Sequence, residues 1–583
     1  MWFPSIDELR DANEGSAFLL LAWNELFAAD TPDSFQPKLM NCPALLEELR
    51  LIAERASRSP RWEKHVRKIQ EELGSVCEAD QNFLDAAPRL RWSLQKLCEK
   101  GSLSEVVSVA RILGPNLQDY ELRVNRMLLA SVADLPKAKG TVLSALRRLA
   151  TIALRKGRSD EDFSFLMRPD YLNRTPEEIL TLIIRAINAP SKEYLCIPAV
   201  KGKPEELQAV ARKAGFQLRS QRDIPVHADG EQFLEATKGA VWLSMQVQAS
   251  KPLEAARLAV RRLRPALDIF NFYQHDALAF FDEVLVLTGS TEPTLVKPKK
   301  QWLWQVRRSR DARKLTKELL ASASEERLVG QVLNALEHYS VAQTSTISRV
   351  KLANLWSALE CLAAGDTAES VIASVCETIA PAVAWRRTGK ILSYTAKSLH
   401  EFRSVAGGSL GAGFPVEEGG LPSERLLLAL ARPEGHPAPE DLQQFVASHP
   451  LLRFRVFSLW KTFSVPKDLA AELKLSRKRI EWHLYRIYRA RNLLVHEGQE
   501  VADVPHLLEN LHYYFCAALS RILHGMNLNP DWDVPDSIAH WRMRYEYTVS
   551  SLESRPQILQ VSDLLPMPRQ ALYRTLIWPP AAA

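Results

Sequence analysis

The sequence predicts a mainly α multidomain protein, with a helical amino-terminal region, a small α/β middle domain and a helical bundle towards the carboxyl end. Three observations predict it. At 583 residues the chain is too long for one hydrophobic core. Apolar residues recur three and four apart over residues 1–165 and again after 325, the spacing of helices that bury one face. Between them lie short apolar runs with strand-like composition.

Residues 1–165 read as helix after helix. In Pro43-Ala-Leu-Leu-Glu-Glu-Leu49 a proline takes the first turn, where its missing N–H is not needed, and leucines follow at 45, 46 and 49. Residues 103–112 and 142–152 repeat the pattern, while Gly114-Pro115 and Pro136-Lys-Ala-Lys-Gly140 break it. Residues 166–295 form the small α/β domain, a candidate sensor. Its strands are expected over 193–198, 240–249 and 278–289, and its main helix opens at Pro252, with Pro265 expected to kink or divide it. A basic helical connector occupies 296–344. The bundle runs over 345–530, with a Gly/Pro-rich insertion near 406–440, and 531–583 is an extension packed on it. Within the bundle, Leu352, Leu355, Trp356, Leu359 and Leu362 mark one helix face. Ser476 is the expected N-cap of a helix over 477–496, and Pro505 opens the next.

Composition narrows the class. The chain is 46% hydrophobic and 25% charged, ordinary for a soluble globular protein. Seven cysteines with no CxxC pair argue for reduced thiols of a cytoplasmic protein, against a disulfide framework or zinc site. The start lacks the tripartite pattern of a secretory leader, and no apolar run is long enough to span a bilayer, so no membrane partner is expected. The formal charge of +6 is unevenly placed. Residues 451–500 hold eleven Lys/Arg against five Asp/Glu, and residues 297–317 hold nine basic residues against Asp311 alone. Such a stripe is either a solvated face or the footprint of a polyanion.

The chemistry-bearing stretch is Tyr488-Arg-Ala-Arg491-Asn492-Leu-Leu-Val-His496-Glu497-Gly498. Ile480, Leu484, Ile487, Arg491 and Leu494 follow helical steps and form an apolar seam broken by Arg491; Tyr485, Tyr488, Asn492 and His496 follow the adjacent face. Asn492 therefore approaches His496. Arg491 lies five residues before His496, an offset of about 140°, so the two are not expected to face each other on one straight helix. They are expected to meet across a helix end or a two-fold interface. Gly498 marks the helix stop, and a histidine at a helix carboxyl end sits in a field that suits proton uptake. Imidazole can accept the proton of an RNA 2′-hydroxyl while a guanidinium neutralises the phosphate, leaving a 2′,3′-cyclic phosphate and a free 5′-hydroxyl. That chemistry needs no cofactor and no metal, and DNA lacks its nucleophile. The competing reading is a satisfied polar cluster holding helices together. Around the site, Glu360, Glu497 and Tyr488 are candidate supporting residues, with Glu360 placed to orient a basic group or to serve as a surface or capping residue. Arg486, Arg489, Arg477, Lys478 and Arg479 are the candidate RNA-binding flank.

Arg491-Asn-Leu-Leu-Val-His496 resembles the arginine–polar–xxx–histidine signature of HEPN ribonuclease domains, and Glu497-Gly498 is similar to the continuation in bacterial members. Leu355-Trp-Ser-Ala-Leu-Glu-Cys-Leu362 resembles the helix that opens the HEPN region of ApeA-like anti-phage defence proteins. The resemblance covers residues 345–525 through short motifs, and the Gly-rich insertion departs from it. It implies an all-helical domain that forms a homodimer or a higher even oligomer and sets two motifs in a shared cleft. There it would cut RNA, transfer RNA among the candidates, with Arg491, Asn492 and His496 as the catalytic residues. It further implies an anti-phage, toxin or abortive-infection role in which the amino-terminal regions sense a phage-derived trigger. Some HEPN domains are inactive and only bind nucleic acid or mediate assembly, which keeps a non-catalytic binding or interaction module as the alternative.

Other constellations carry less. Ser244, Asp268 and His275 lack a nucleophile elbow. His506, His512 and His524 have poor metal spacing, and Gly407-Gly-Ser-Leu-Gly-Ala-Gly413 lacks the Lys-Ser/Thr end of a phosphate loop. Trp302 and Trp304 beside Arg307, Arg308 and Arg310 suit base stacking or a half-buried edge equally.

Overall fold

The computed structural model describes residues 6–27, 40–79, 88–99, 101–116, 119–158, 160–202, 204–213, 215–225, 227–274, 280–288, 293–297, 326–345, 347–363, 370–406, 423–431, 440–499, 504–529 and 531–554. The chain is mostly helical, with one five-stranded antiparallel sheet, as the composition and periodicity predict. It divides into two compact units: Met1–Ile184 together with Leu303–Ala583, and Arg185–Trp302. Among the described residues no helix is long and apolar enough to cross a membrane. The Gly-rich insertion at 407–422, His275 and the basic run 298–325, with its paired tryptophans, lie outside the described residues.

In the helical unit, seven helices position the site. Helix α1 is Cys42–Ala56; Asn41 caps it by accepting the Ala44 N–H at 3.0 Å, and Pro43 sits in its first turn. A short turn at Pro60–Trp62 leads into α2, Glu63–Ala79. Helix α3, Ser348–Ala363, buries Leu352, Leu355, Trp356, Leu359 and Leu362, the face its periodicity marked. Helices α4 (Val371–Ala406), α5 (Pro466–His496), α6 (Val504–Leu528) and α7 (Val534–Ser554) complete the bundle. Helix α5 is its axis: it packs on α3, α4, α6 and α7, and also on amino-terminal α2.

One expectation is corrected here. Ser476 is no cap; it is buried inside α5, which starts at Pro466 because Leu469, Ala470 and Leu473 extend the buried seam backwards. The amino-terminal helices share a compact unit with the bundle, and the division of the chain falls at 184/185 and 302/303.

The second unit carries the sheet, in the order β2–β3–β1–β4–β5: β1 Lys192–Val200, β2 Gln217–Arg219, β3 Val241–Ala249, β4 Phe280–Leu287 and β5 Thr294–Val296. Every pairing is antiparallel, and the β1–β4 register shifts at Pro198/Val200, next to a proline that has no N–H to give the ladder. Leu207, Ala211, Ala255, Ala259 and Leu263 cover one face of the sheet and Phe233 the other. One helix spans Pro252–Gln274, so of the kink or division expected at Pro265 the division does not occur. Burial of Leu263 and Leu267 offsets the lost hydrogen bond.

Candidate active site at the tip of helix α5

Helix α5 stops where its sequence says it should. Gly498 has φ 62°, a left-handed conformation open to glycine, and the Gln499 N–H returns to the Leu493 carbonyl at 3.0 Å. A side chain at 498 would have open space, so glycine is needed for its backbone angle alone. His496 is the last helical residue and is exposed, while Arg491 and Asn492 are half-buried.

The three candidate catalytic side chains meet within one chain. Arg491 Nη1 donates to His496 Nε2 at 2.8 Å and to Asn492 Oδ1 at 3.0 Å. This corrects the expectation that Arg491 and His496 cannot face each other on one helix. The offset of about 140° describes where their Cβ atoms leave the helix, but an arginine side chain is long enough to run alongside the last turn to a terminal histidine. Because a guanidinium is only a donor, the contact requires a lone pair on Nε2 and assigns the proton of a neutral ring to Nδ1. Arg491 Nε is buried and has no hydrogen-bond partner among the described residues. The arrangement thus offers a base, a cation beside it and an amide that orients the cation.

Glu497, expected to support the site, turns away from it and pairs with Arg55 of α1, whose other nitrogen donates to Gln499. Tyr488 is a packing residue: its ring lies 5.3 Å from Trp356 and stacks on His65 at 5.8 Å. Glu360, expected either to orient a basic group or to serve as a surface or capping residue, accepts the Trp356 indole N–H.

Two members of the expected RNA-binding flank, Arg486 and Arg489, are turned into the protein. Arg486 Nε and Arg489 Nε both donate to Glu48 of α1, each at 3.1 Å, and Arg486 also pairs with Glu72 of α2. Arg489 is 2% and Glu72 5% exposed, so these arginines serve the core. Burial alone would raise the Glu48 carboxyl, but the two guanidiniums hold it down to about 2. Glu72 is pushed up by burial. Burial likewise drives His65 and His483, which border this network, down to about 3. Arg477 pairs with Glu481 at 3.0 Å, and burial brings half-buried Arg479 down to about 10; exposed Lys478 is the one of the three open to solvent. All three lie roughly 27 Å back along the helix from His496, at 1.5 Å per residue.

The constellations of lesser promise find structural partners. Ser244 Oγ accepts from Arg219 Nε at 2.7 Å. His512 lies 2.9 Å from the Tyr339 hydroxyl, and burial pushes it down to about 3. None of the seven cysteines is in a disulfide.

Sequence reasoning missed the amino-terminal side of the site: Glu48, Arg55, Trp62 and His65. A signal was present, since Arg55, Arg58, Arg61, Lys64 and Arg67 recur every third residue across the α1–α2 turn. Neither a family model, nor a curated protein, nor a solved structure matches the chain.

Proposed function

We propose that the protein is an endoribonuclease whose site is the tip of α5, with His496 as general base and Arg491 as the cation that meets the phosphate. The observation that carries this reading is the 2.8 Å contact between Arg491 Nη1 and exposed His496 Nε2 at a helix end. A phosphodiester arriving at Arg491 competes for the Nη1 hydrogen and releases the Nε2 lone pair. Nε2 then takes the proton of the 2′-hydroxyl as its oxygen attacks phosphorus. The 5′-oxygen leaves and is reprotonated, giving a 2′,3′-cyclic phosphate and a 5′-hydroxyl. Asn492 Oδ1 keeps the guanidinium aimed at the tip. The resemblance to HEPN ribonucleases supports the same three residues, and it alone supports a role in anti-phage defence and a homodimeric cleft. Leu494, half-buried, and Val495, 46% exposed, are apolar groups available to such a contact. Ile487, on the same apolar seam as Leu494, is already buried within the chain.

The second reading, a non-catalytic nucleic-acid-binding or interaction module, also has an observation behind it: Arg491 Nη1 already has both Asn492 and His496 as partners within the chain. RNA-end sequencing separates the two. Purified wild type in EDTA is expected to leave cyclic phosphate ends that vanish in both Arg491→Ala and His496→Ala. End profiles identical in wild type and His496→Ala, with RNA still bound, would establish the second reading instead.

A further inference from the structure

Helix α2 runs antiparallel to α5 in a constant register. His65 lies 5.8 Å from Tyr488 and Lys68 Nζ 6.0 Å from Tyr485, while the Trp482 indole donates to Glu71 at 3.4 Å. Each step of three along α2 is thus met by a step of three back along α5. The α1–α2 turn, which holds Arg58 and Arg61, precedes Glu63 and therefore lies at the end of α5 that carries Arg491 and His496. The Arg55 bond to Glu497 fixes the same end independently.

Arg58, Arg61 and Arg67 are exposed, and none of them enters an ion pair among the described residues. Arg61 is held in place, its guanidinium 5.7 Å from the centre of buried Trp62, with Arg55 at 6.0 Å from the same ring. Three of the nearby carboxylates are engaged elsewhere. Glu54 is met by Arg50 at 3.0 Å and Arg111 at 2.9 Å, Glu71 by Lys68 at 3.0 Å, and Glu497 by Arg55. Glu63 opens α2 half-buried. The result is a pair of open cations on the α1–α2 turn, at the end of α5 that carries His496, with Arg67 following on α2.

We propose that Arg58 and Arg61, followed by Arg67, form a docking lip for the RNA backbone, holding the phosphates that flank the one at Arg491. The amino-terminal helices then supply half of the substrate surface. This inference rests on the RNA reading of the α5 tip. The lip holds phosphates through charge, without reading bases, so its contribution falls as salt rises.

The test uses the full chain in a His496→Ala background, so that binding is measured without cleavage, with a fluorescently labelled 20-nucleotide single-stranded RNA and anisotropy as readout. Arg58→Glu/Arg61→Glu is expected to weaken binding at least tenfold and to flatten the dependence of log K on log salt by about 1.4, two phosphates at about 0.7 each. Arg58→Lys/Arg61→Lys is expected to retain most of the binding. Lys467→Glu, at the exposed far end of α5 and roughly 44 Å away at 1.5 Å per residue, is expected to change little. Unchanged circular dichroism confirms that the variants fold. Equal losses from the lip and from Lys467 would mean diffuse attraction and overturn the proposal, as would unaltered binding by the double glutamate variant or no RNA binding at all. Cleavage by wild type is scored separately. A lip that binds while wild type leaves RNA uncut sinks the ribonuclease reading alone, and cutting with a dispensable lip sinks the lip alone.

Discussion

Replacing Glu48 by Gln tests whether the amino-terminal helices hold helix α5 through charge. Glu48 accepts from Arg486 and Arg489, with side chains 18%, 11% and 3% exposed, so solvent screens the attraction weakly. Burial alone would raise the carboxyl, yet the two guanidiniums bring it from 4.5 to about 2. At about 1.4 kcal/mol per pH unit, this corresponds to about 3 kcal/mol of native stability at neutral pH. The folded value lies below the unfolded one, so that stability is present above about pH 4.5 and is lost as pH falls towards 2. Removing one partner of a buried pair costs about 3–5 kcal/mol by a separate route, because a cation is left uncompensated. In Glu48→Gln two arginines would face Glu72 alone. Hydrogen exchange is the assay suited to a chain of two units, since it reads local opening. Peptides from α1 and the last turns of α5 are expected to exchange roughly 100-fold faster, the equivalent of about 3 kcal/mol. Glu553→Gln is the comparison: its partner Lys474 is 50% exposed, and a surface pair is worth under about 1 kcal/mol. Exchange in Glu48→Gln no faster than in Glu553→Gln would refute the account of the buried network.

Three further outcomes follow from the structure. His65, His483 and His512 are driven by burial to about 3, and His449 and His524 to about 4, so the unfolded chain binds protons first below about pH 6.5. The thermal midpoint is expected to fall steadily between pH 6.5 and 4, and a flat profile there would count against neutral buried imidazoles. Arg491 and His496 meet within one chain, so mixing Arg491→Ala with His496→Ala protein is expected to restore no cleavage; restored cleavage, with a dimer seen by light scattering, would show that two copies share the pair. Gly498→Ala places a methyl group at φ 62° and is expected to cost about 1–2 kcal/mol of local stability, read as faster exchange over the last turn of α5.

The fold was legible wherever a helix buries one stripe. Leucines at 45, 46 and 49 and the α3 face from Leu352 to Leu362 are buried where their spacing puts them. Boundaries were harder, for identifiable reasons. Ser476 has the chemistry of a cap, but Leu469, Ala470 and Leu473 continue the buried seam before it, and tertiary packing outweighs one side-chain hydrogen bond. The three-residue strands β2 and β5 are too short to show an alternation, and they exist because β3 and β4 offer them an edge.

At the candidate site, sequence picked out three residues that the fold brings together but misjudged several of their neighbours, because charge says nothing about what lies opposite. Arg486 and Arg489 look like a phosphate flank until Glu48 and Glu72 arrive from helices more than 400 residues earlier. The open cations near the tip come from the α1–α2 turn instead. The Arg491–His496 pair shows a different limit. A helical wheel compares directions at Cβ, which suffices for short side chains, whereas a guanidinium is carried on a flexible stem several ångströms away. At a helix interior the following turn would occupy that path. At the last turn, closed by Gly498, it is open, so an arginine five residues before a terminal histidine reaches it without a second helix.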